Sequence, residues 1–235
     1  MNTRVAILLT AALLFSAAGC GDDDPDVVAI YGDSLSADAQ DYLKIYAAAD
    51  GRSLEPGFFW GTAPCDWVDD IQQRAPEEEP VAIVLAFAGN NVTPCTGGAT
   101  GNDLANEYER DLRTATKAAT DAGAHVVLVG PPDMNAPLYT EMAPLIRERM
   151  QNIADEMDDT EYVDGTELLS PDGYADQLRC DADLGEDAAH GCVDGMITVR
   201  DPDGVHWDKP GDDGYSAGAN RWARTIFSAF EDRDG

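Results

Sequence analysis

Short apolar segments that alternate with helical segments constrain the fold of this chain more than any other feature. Residues 27–31, 81–87 and 126–130 are continuous apolar runs rich in valine, isoleucine and leucine, and turn residues follow them. Such runs predict strands buried on both faces, as in a parallel sheet. Parallel strands need crossover connections, which are usually helices. We therefore predict an α/β protein, a three-layer α/β/α sandwich with a mostly parallel, flavodoxin-like sheet.

The segments between and after these strands carry apolar residues at helical spacing. A weak strand is expected at residues 162–163, close to the third of these helices. The predicted helices cover residues 36–49, 103–121, 144–158 and 215–230.

The beginning of the chain predicts export. In residues 1–19, Arg4 precedes an apolar run that is too short to span a membrane, and small residues then lead to Cys20. These small residues before a cysteine resemble the lipobox of bacterial lipoproteins, which implies lipidation of Cys20. Ordinary signal cleavage, leaving Cys20 as a free thiol, is the alternative. Residues 20–26 then form an acidic tether and residues 27–235 a single domain, in the cell envelope or secreted.

The charge of the chain limits its partners. Forty-five acidic residues against 15 Lys and Arg give a formal net charge of −30. Such a surface repels polyanions, so binding to nucleic acid or to anionic lipid through a basic patch is disfavoured. We expect a monomer that touches the membrane only through a lipid at Cys20.

Two motifs at opposite ends of the domain suggest a nucleophile and its base. Gly-Asp-Ser-Leu follows the first strand and opens the first helix, which places Ser34 at a helix N-terminus. Ser34 is also a possible helix cap. Asp203-x-x-His206 lies before the last helix. The other two histidines fit structural roles better than catalytic ones, because His125 begins a predicted strand and His190 lies in a predicted disulfide loop. A serine nucleophile needs a histidine to remove its proton and a carboxylate to orient that histidine.

These two motifs resemble the first and last blocks of the SGNH/GDSL hydrolases. The resemblance implies that Ser34 is the catalytic nucleophile and that Asp203 and His206 complete a triad. It also implies two middle blocks that supply the oxyanion hole, and Gly61, in Phe-Trp-Gly-Thr, lies in the right interval for the first of them.

The second middle block allows two registers. In Phe87-Ala-Gly-Asn-Asn, a register set by the phenylalanine makes Asn90 the amide donor and puts Ala88 where the family has glycine. A register set by Gly89 makes Asn91 the donor instead. We favour Asn90, so the implied oxyanion hole consists of the Ser34 N–H, the Gly61 N–H and the Asn90 amide.

Besides Cys20, the chain has four cysteines, an even number that indicates disulfides in an exported protein. Three pairings are possible. We favour Cys180–Cys192, which closes a short loop, and Cys65–Cys95, which joins the loops that carry the two middle blocks. The cysteines lack the paired C-x-x-C spacing of a zinc site, so no metal is expected.

These observations predict a serine esterase that needs no cofactor. Its expected substrates are small-molecule or glycan esters, either O-acetyl groups on glycans or short-chain acyl esters and lipids. Two alternatives stay open: a catalytically silent glycan-binding or interaction lipoprotein on the same fold, and an O-acyltransferase that uses the same site.

Overall fold

The structure, a computed structural model, describes residues 25–209 and 214–231. The predicted signal segment, Cys20 and most of the tether lie outside these residues. The strands are β1 (Val27–Gly32), β2 (Ser53–Phe58), β3 (Ala82–Ala86), β4 (His125–Val129), β5 (Thr160–Val163), β6 (Gln177–Arg179) and β7 (Met196–Thr198). The helices are α1 (Ser34–Asp38), α2 (Gln40–Ala49), α3 (Val68–Glu78), α4 (Gly101–Asp121), α5 (Pro137–Glu156) and α6 (Ala217–Glu231).

The main sheet has five parallel strands in the order β2-β1-β3-β4-β5. This is the flavodoxin-like order, and the predicted three-layer α/β/α sandwich is confirmed. β6 and β7 form a small antiparallel pair outside it.

The two faces of the sheet bury separate apolar clusters. Val28 and Ile30 of β1 pack with α1, α2 and α6, whereas Ala29 and Tyr31 pack with α3, α4 and α5. This alternation follows from the period of two along a strand. Trp222 of α6 is among the largest fully buried side chains, and full burial of a large apolar side chain stabilises a fold by about 1.5–3 kcal/mol.

The topology creates a crevice between β1 and β3. After β1 the chain crosses to β2 at one edge, whereas the later strands continue toward the other edge. Ligand sites in such sheets lie at the carboxyl ends of the strands where this reversal occurs. Ser34 follows β1 and Asn90 follows β3, so the fold places both residues at this switch point.

Candidate active site

Ser34 is the first residue of α1 and lies almost buried at the end of β1. The preceding Asp33 caps this helix, because its Oδ1 accepts a hydrogen bond from the Leu35 N–H at 3.1 Å. The cap therefore belongs to Asp33, and the Ser34 hydroxyl remains available. Ser34 Oγ lies 3.0 Å from Nε2 of His206, within hydrogen-bond distance.

His206 is oriented by Asp203 on the loop between β7 and α6. The imidazole Nδ1 lies 2.6 Å from Oδ2 of Asp203. The other carboxylate oxygen accepts hydrogen bonds from the backbone N–H groups of Val205, at 2.8 Å, and His206, at 3.0 Å. Partial burial alone would raise the pKa of Asp203, but the hydrogen bonds from His206 and Val205 outweigh it and lower that pKa. Asp203 is thus held ionised beside the imidazole.

The histidine loop is fixed to the helix that carries the serine. Trp207 donates its indole N–H to the Leu35 carbonyl at 2.8 Å and is buried, so it packs between the two motifs. Arg200 stacks on Trp207, with 4.3 Å from its guanidinium carbon to the ring centroid, and donates to the Val205 carbonyl at 2.8 Å. Burial lowers the pKa of Arg200 to about 10. Sequence reasoning missed Arg200, because no local motif marks it.

Asp33 also joins the serine turn to the loop after β3. Its Oδ2 accepts hydrogen bonds from the Ala88 N–H at 2.7 Å and from Nδ2 of Asn90 at 3.2 Å. The carboxyl is fully buried, and burial raises its pKa to about 6 despite the hydrogen bonds from Ala88 and Leu35 and the nearby His206, which lower it. This link was not predicted from the sequence.

The environments of the two asparagines differ. Asn90 is buried, and its Nδ2 also donates to the Thr62 carbonyl at 3.1 Å. Asn91 instead donates its side-chain N–H to the Ala99 carbonyl at 3.0 Å, within its own loop. Of the two asparagines, Asn90 is therefore the one whose side-chain amide contacts the residue that precedes Ser34.

Two tyrosines hold Asn90 in place. Tyr139 of α5 donates its hydroxyl to Oδ1 of Asn90 at 2.6 Å, and Tyr108 of α4 donates to the Asn90 carbonyl at 2.9 Å. Burial, with the nearby charges of Asp33 and Asp203, raises the pKa of Tyr139, so its hydroxyl stays a donor. These contacts fix the amide with Nδ2 toward Asp33, since the flipped amide would put its oxygen against a carboxylate.

Gly61 lies in the loop after β2 and has φ of +77°, a conformation that favours glycine. The neighbouring Thr62 donates its hydroxyl to the Gly32 carbonyl at 3.0 Å and accepts from Asn90. The loops after β1, β2 and β3 are thus tied together beside Ser34.

Both favoured disulfides are present. Cys65–Cys95 links the loops that follow Gly61 and Asn90, and Cys180–Cys192 closes the loop between β6 and β7. Asp66 adds a second link between the first pair of loops, because it accepts from Thr93 Oγ1 at 2.6 Å and from the Ala63 N–H at 2.9 Å. Paired cysteines are typical of proteins exported to oxidising compartments.

The other histidines lie away from this site. His125 begins β4, at the opposite end of the sheet from Ser34, with Nε2 3.5 Å from Glu161 Oε2. His190 packs against Tyr215 in the loop between β6 and β7, with Nδ1 2.9 Å from the Gly185 carbonyl.

In the part of the chain that the structure describes, one group of three metal-type ligands has its donor atoms within 4.8 Å: Cys65, Asp66 and Cys95. Both of its sulfurs belong to the disulfide. None of the helices in residues 25–209 and 214–231 combines the length and the apolarity needed to cross a membrane.

The parallel sheet and the arrangement at its switch point define the SGNH hydrolase fold. The chain belongs to the family described as "Protein of unknown function (DUF459)", which matches residues 27–218. No curated protein sequence matches the chain.

Solved structures with the same fold cover most of this chain. An acetyl xylan esterase is 17% identical with a TM-score of 0.57, and the match covers 87% of this chain and 99% of that one. A lipase/acylhydrolase from Enterococcus faecalis is 14% identical, with a TM-score of 0.57 and coverage of 87% and 94%. The C-terminal catalytic domain of a peptidoglycan O-acetyltransferase from Streptococcus pneumoniae is 17% identical, with a TM-score of 0.55 and coverage of 87% and 92%. At these identities the likeness establishes the shared fold.

Proposed function

We propose that this chain is an extracytoplasmic serine esterase that hydrolyses carboxylic esters through Ser34, His206 and Asp203. One observation carries the proposal: a continuous hydrogen-bonded relay runs from Ser34 Oγ through the imidazole of His206 to the Asp203 carboxylate, with separations of 3.0 and 2.6 Å. This is the arrangement that activates a serine hydroxyl for attack on an acyl carbon.

The reaction proceeds in two halves. Ser34 Oγ attacks the ester carbonyl carbon while its proton moves to Nε2 of His206. The tetrahedral intermediate collapses, the carbon–oxygen bond to the alcohol breaks, and His206 returns the proton to that alcohol. A water then attacks the acyl-serine and gives its proton to His206, and collapse releases the carboxylic acid as the proton returns to Ser34 Oγ. Asp203 stays ionised and stabilises the imidazolium in both halves.

The negative oxygen of each intermediate needs hydrogen-bond donors beside the serine. We assign this role to the backbone N–H groups of Ser34 and Gly61 and to Nδ2 of Asn90. Nδ2 of Asn90 donates to Asp33 and to the Thr62 carbonyl. Binding of the oxyanion must therefore replace one of these two bonds.

Replacement of the nucleophile tests the proposal. Ser34→Ala should lower kcat on p-nitrophenyl acetate by at least about 1000-fold, because the remaining donors cannot substitute for the nucleophile. It should also abolish covalent labelling by a fluorophosphonate. Ser53→Ala, on the edge strand β2, is the matched control and should keep both turnover and labelling.

Absence of turnover and of labelling in the wild-type protein would contradict the proposal and favour the silent binding module. Activity that a chelator removes would point instead to a metal-dependent hydrolase.

Acyl transfer is the second candidate reaction, because an alcohol can replace water in the second half. The peptidoglycan O-acetyltransferase domain shares the fold, and the same residues would act. The two reactions differ in product, so a radiolabelled acetyl donor offered with an acceptor sugar separates them. We favour hydrolysis, with O-acetyl groups on glycans or short acyl esters as substrates. Lipidation of Cys20 and a monomeric state remain part of the proposal.

A further inference from the structure

A cavity of about 430 Å³ opens beside the histidine of the proposed triad. Its wall includes His206, Asp203 and, from the loop after β2, Trp60. His206 is the group that returns a proton to the departing alcohol. Space that borders the imidazole is therefore positioned to receive the alcohol part of the ester.

Trp60, in the cavity wall, and its chain neighbour Phe59 are both exposed aromatic side chains. Phe59 and Trp60 are 60% and 58% exposed and meet edge to face, with ring centroids 5.7 Å apart. Trp60 donates its indole N–H to Oδ1 of Asp38 at 2.9 Å, which fixes the orientation of its ring. Exposed apolar residues are usually scattered singly over a protein surface. Two adjacent aromatic side chains with this much exposure therefore indicate a binding surface.

Apart from Trp207, the remaining cavity walls are polar and acidic. Asp38, Asp201 and Asp208 line them, with Lys209 and Ser216. An acyl chain placed here would desolvate carboxylates without offering hydrogen bonds, which is costly. A hydroxyl-rich group can donate to these carboxylates instead. Since acids outnumber bases in the walls, and the chain carries a net charge of −30, an anionic group would be repelled.

We propose that this cavity and the exposed face of Trp60 form a subsite for an uncharged sugar, so that the substrate is a neutral O-acylated glycan. The inference rests on the proposed esterase function. The apolar C–H face of a sugar ring stacks on the indole, and hydroxyls at the ring edge donate to the acidic wall. Specificity comes from the fit of a neutral sugar and also from repulsion of anionic sugars.

Truncation of the aromatic face tests the stacking contact. The substrates are acetylated xylo-oligosaccharides and ethyl acetate, whose alcohol is too small to span the cavity. Trp60→Ala should lower kcat/KM for the oligosaccharides at least tenfold more than for ethyl acetate, mainly through KM. Trp60→Phe should recover part of the loss, because it keeps an aromatic face. The matched control, Ile45→Ala on α2, removes an equally exposed apolar side chain (62%) and should leave the substrate ratio unchanged.

Substrates of different charge test the acidic wall. At low salt, acetylated galacturonan oligosaccharides, which are anionic, should react with at least tenfold lower kcat/KM than the neutral oligosaccharides, and added salt should narrow the gap. Equal effects of Trp60→Ala on oligosaccharide and ethyl acetate, or a preference for the anionic glycan, would overturn the inference. A Trp60-dependent preference for acetylcholine would also overturn it, in favour of a cationic alcohol. Wild-type protein inactive on every ester would refute the esterase proposal itself.

Discussion

At the scale of single residues, Asp33 is the most unusual group in the site. Its fully buried carboxylate accepts hydrogen bonds from Leu35 of α1 and from Ala88 and Asn90 of the loop after β3. The negative charge is costly to bury, and this cost raises its pKa to about 6. The site thus places a buried carboxylate where its hydrogen bonds align the serine turn with the proposed oxyanion amide.

This raised pKa predicts how the contribution of Asp33 to stability varies with pH. The folded pKa of about 6 lies above the ordinary value of 3.8, so between these values the folded state binds more protons than the unfolded state. The contribution of Asp33 to the unfolding free energy therefore falls as pH rises through this window. Between pH 5 and pH 7 the fall should be about 1 kcal/mol.

Denaturant unfolding of the wild-type protein and of Asp33→Asn at both pH values measures this change. The difference between the two proteins cancels the titration of the other acids, and both values lie above the isoelectric point of about 4.1. A difference that is the same at pH 5 and pH 7 would show that Asp33 titrates normally.

At the scale of elements, the buried strands could be predicted well from the sequence, whereas the partly polar edge strand β2 could not. β1, β3 and β4 are apolar runs whose ends lie close to the predicted ones. β2 was not predicted, because its sequence is partly polar and contains Pro56. Proline is tolerated there since β2 is an edge strand.

Helix boundaries were less predictable. α3 was missed, because only Ile71 and Ala75 of its residues are buried and apolar periodicity is weak. α5 begins at Pro137 rather than at residue 144, so the expected start at Pro144 was wrong. Pro137 occupies the first helical turn, where its missing N–H costs nothing, whereas Pro144 lies inside the helix.

The residues of the site also fall into two groups: some are marked by a local sequence motif, and others are brought to the site only by tertiary packing. The proximity of Ser34 to His206 and Asp203 could be predicted, because each lies in a short motif whose chemistry is recognisable. Tyr139 and Arg200 could not, since their hydrogen bonds to Asn90 and to the Asp133 carbonyl arise only when distant segments pack together.

The two disulfides should act differently on activity. Cys65–Cys95 joins the loops that follow Gly61 and Asn90, whereas Cys180–Cys192 lies in the loop between β6 and β7. Loop-closure entropy gives each bridge a stabilising effect of about 3–4 kcal/mol. The double variant Cys65→Ser/Cys95→Ser should also lose about tenfold in kcat/KM, because small displacements of the proposed oxyanion donors would be costly.

The matched control is the double variant Cys180→Ser/Cys192→Ser, which should lose comparable stability but keep kcat/KM at temperatures where it is folded. In the wild-type protein, reductant should lower activity before it lowers the folded fraction measured by circular dichroism. Parallel loss of activity and fold in that titration would contradict a special role for the Cys65–Cys95 bridge.

At the scale of the whole molecule, the dominant property is the excess of negative charge. Ion pairs such as Arg113 with Glu109 and Glu156, at 3.0 and 2.8 Å, are partly exposed and contribute about 0.2–1 kcal/mol each. With 45 acidic residues and 15 Lys and Arg, pairing each cation with one acid still leaves a net charge of −30. We therefore expect repulsion among the remaining acids to destabilise the folded state.

Moderate salt should for this reason stabilise the protein. The screening length falls from about 30 Å at 0.01 M to about 10 Å at 0.1 M salt, which weakens repulsion across the surface more than contacts at 3 Å. We expect the Tm at pH 7 to rise by several degrees over this range of NaCl, measured by differential scanning calorimetry. At pH 5, where partial protonation of the acids reduces the net charge, the rise should be smaller. A Tm that falls with salt at pH 7, or that rises equally at both pH values, would show that salt does not act by screening repulsion between acidic side chains.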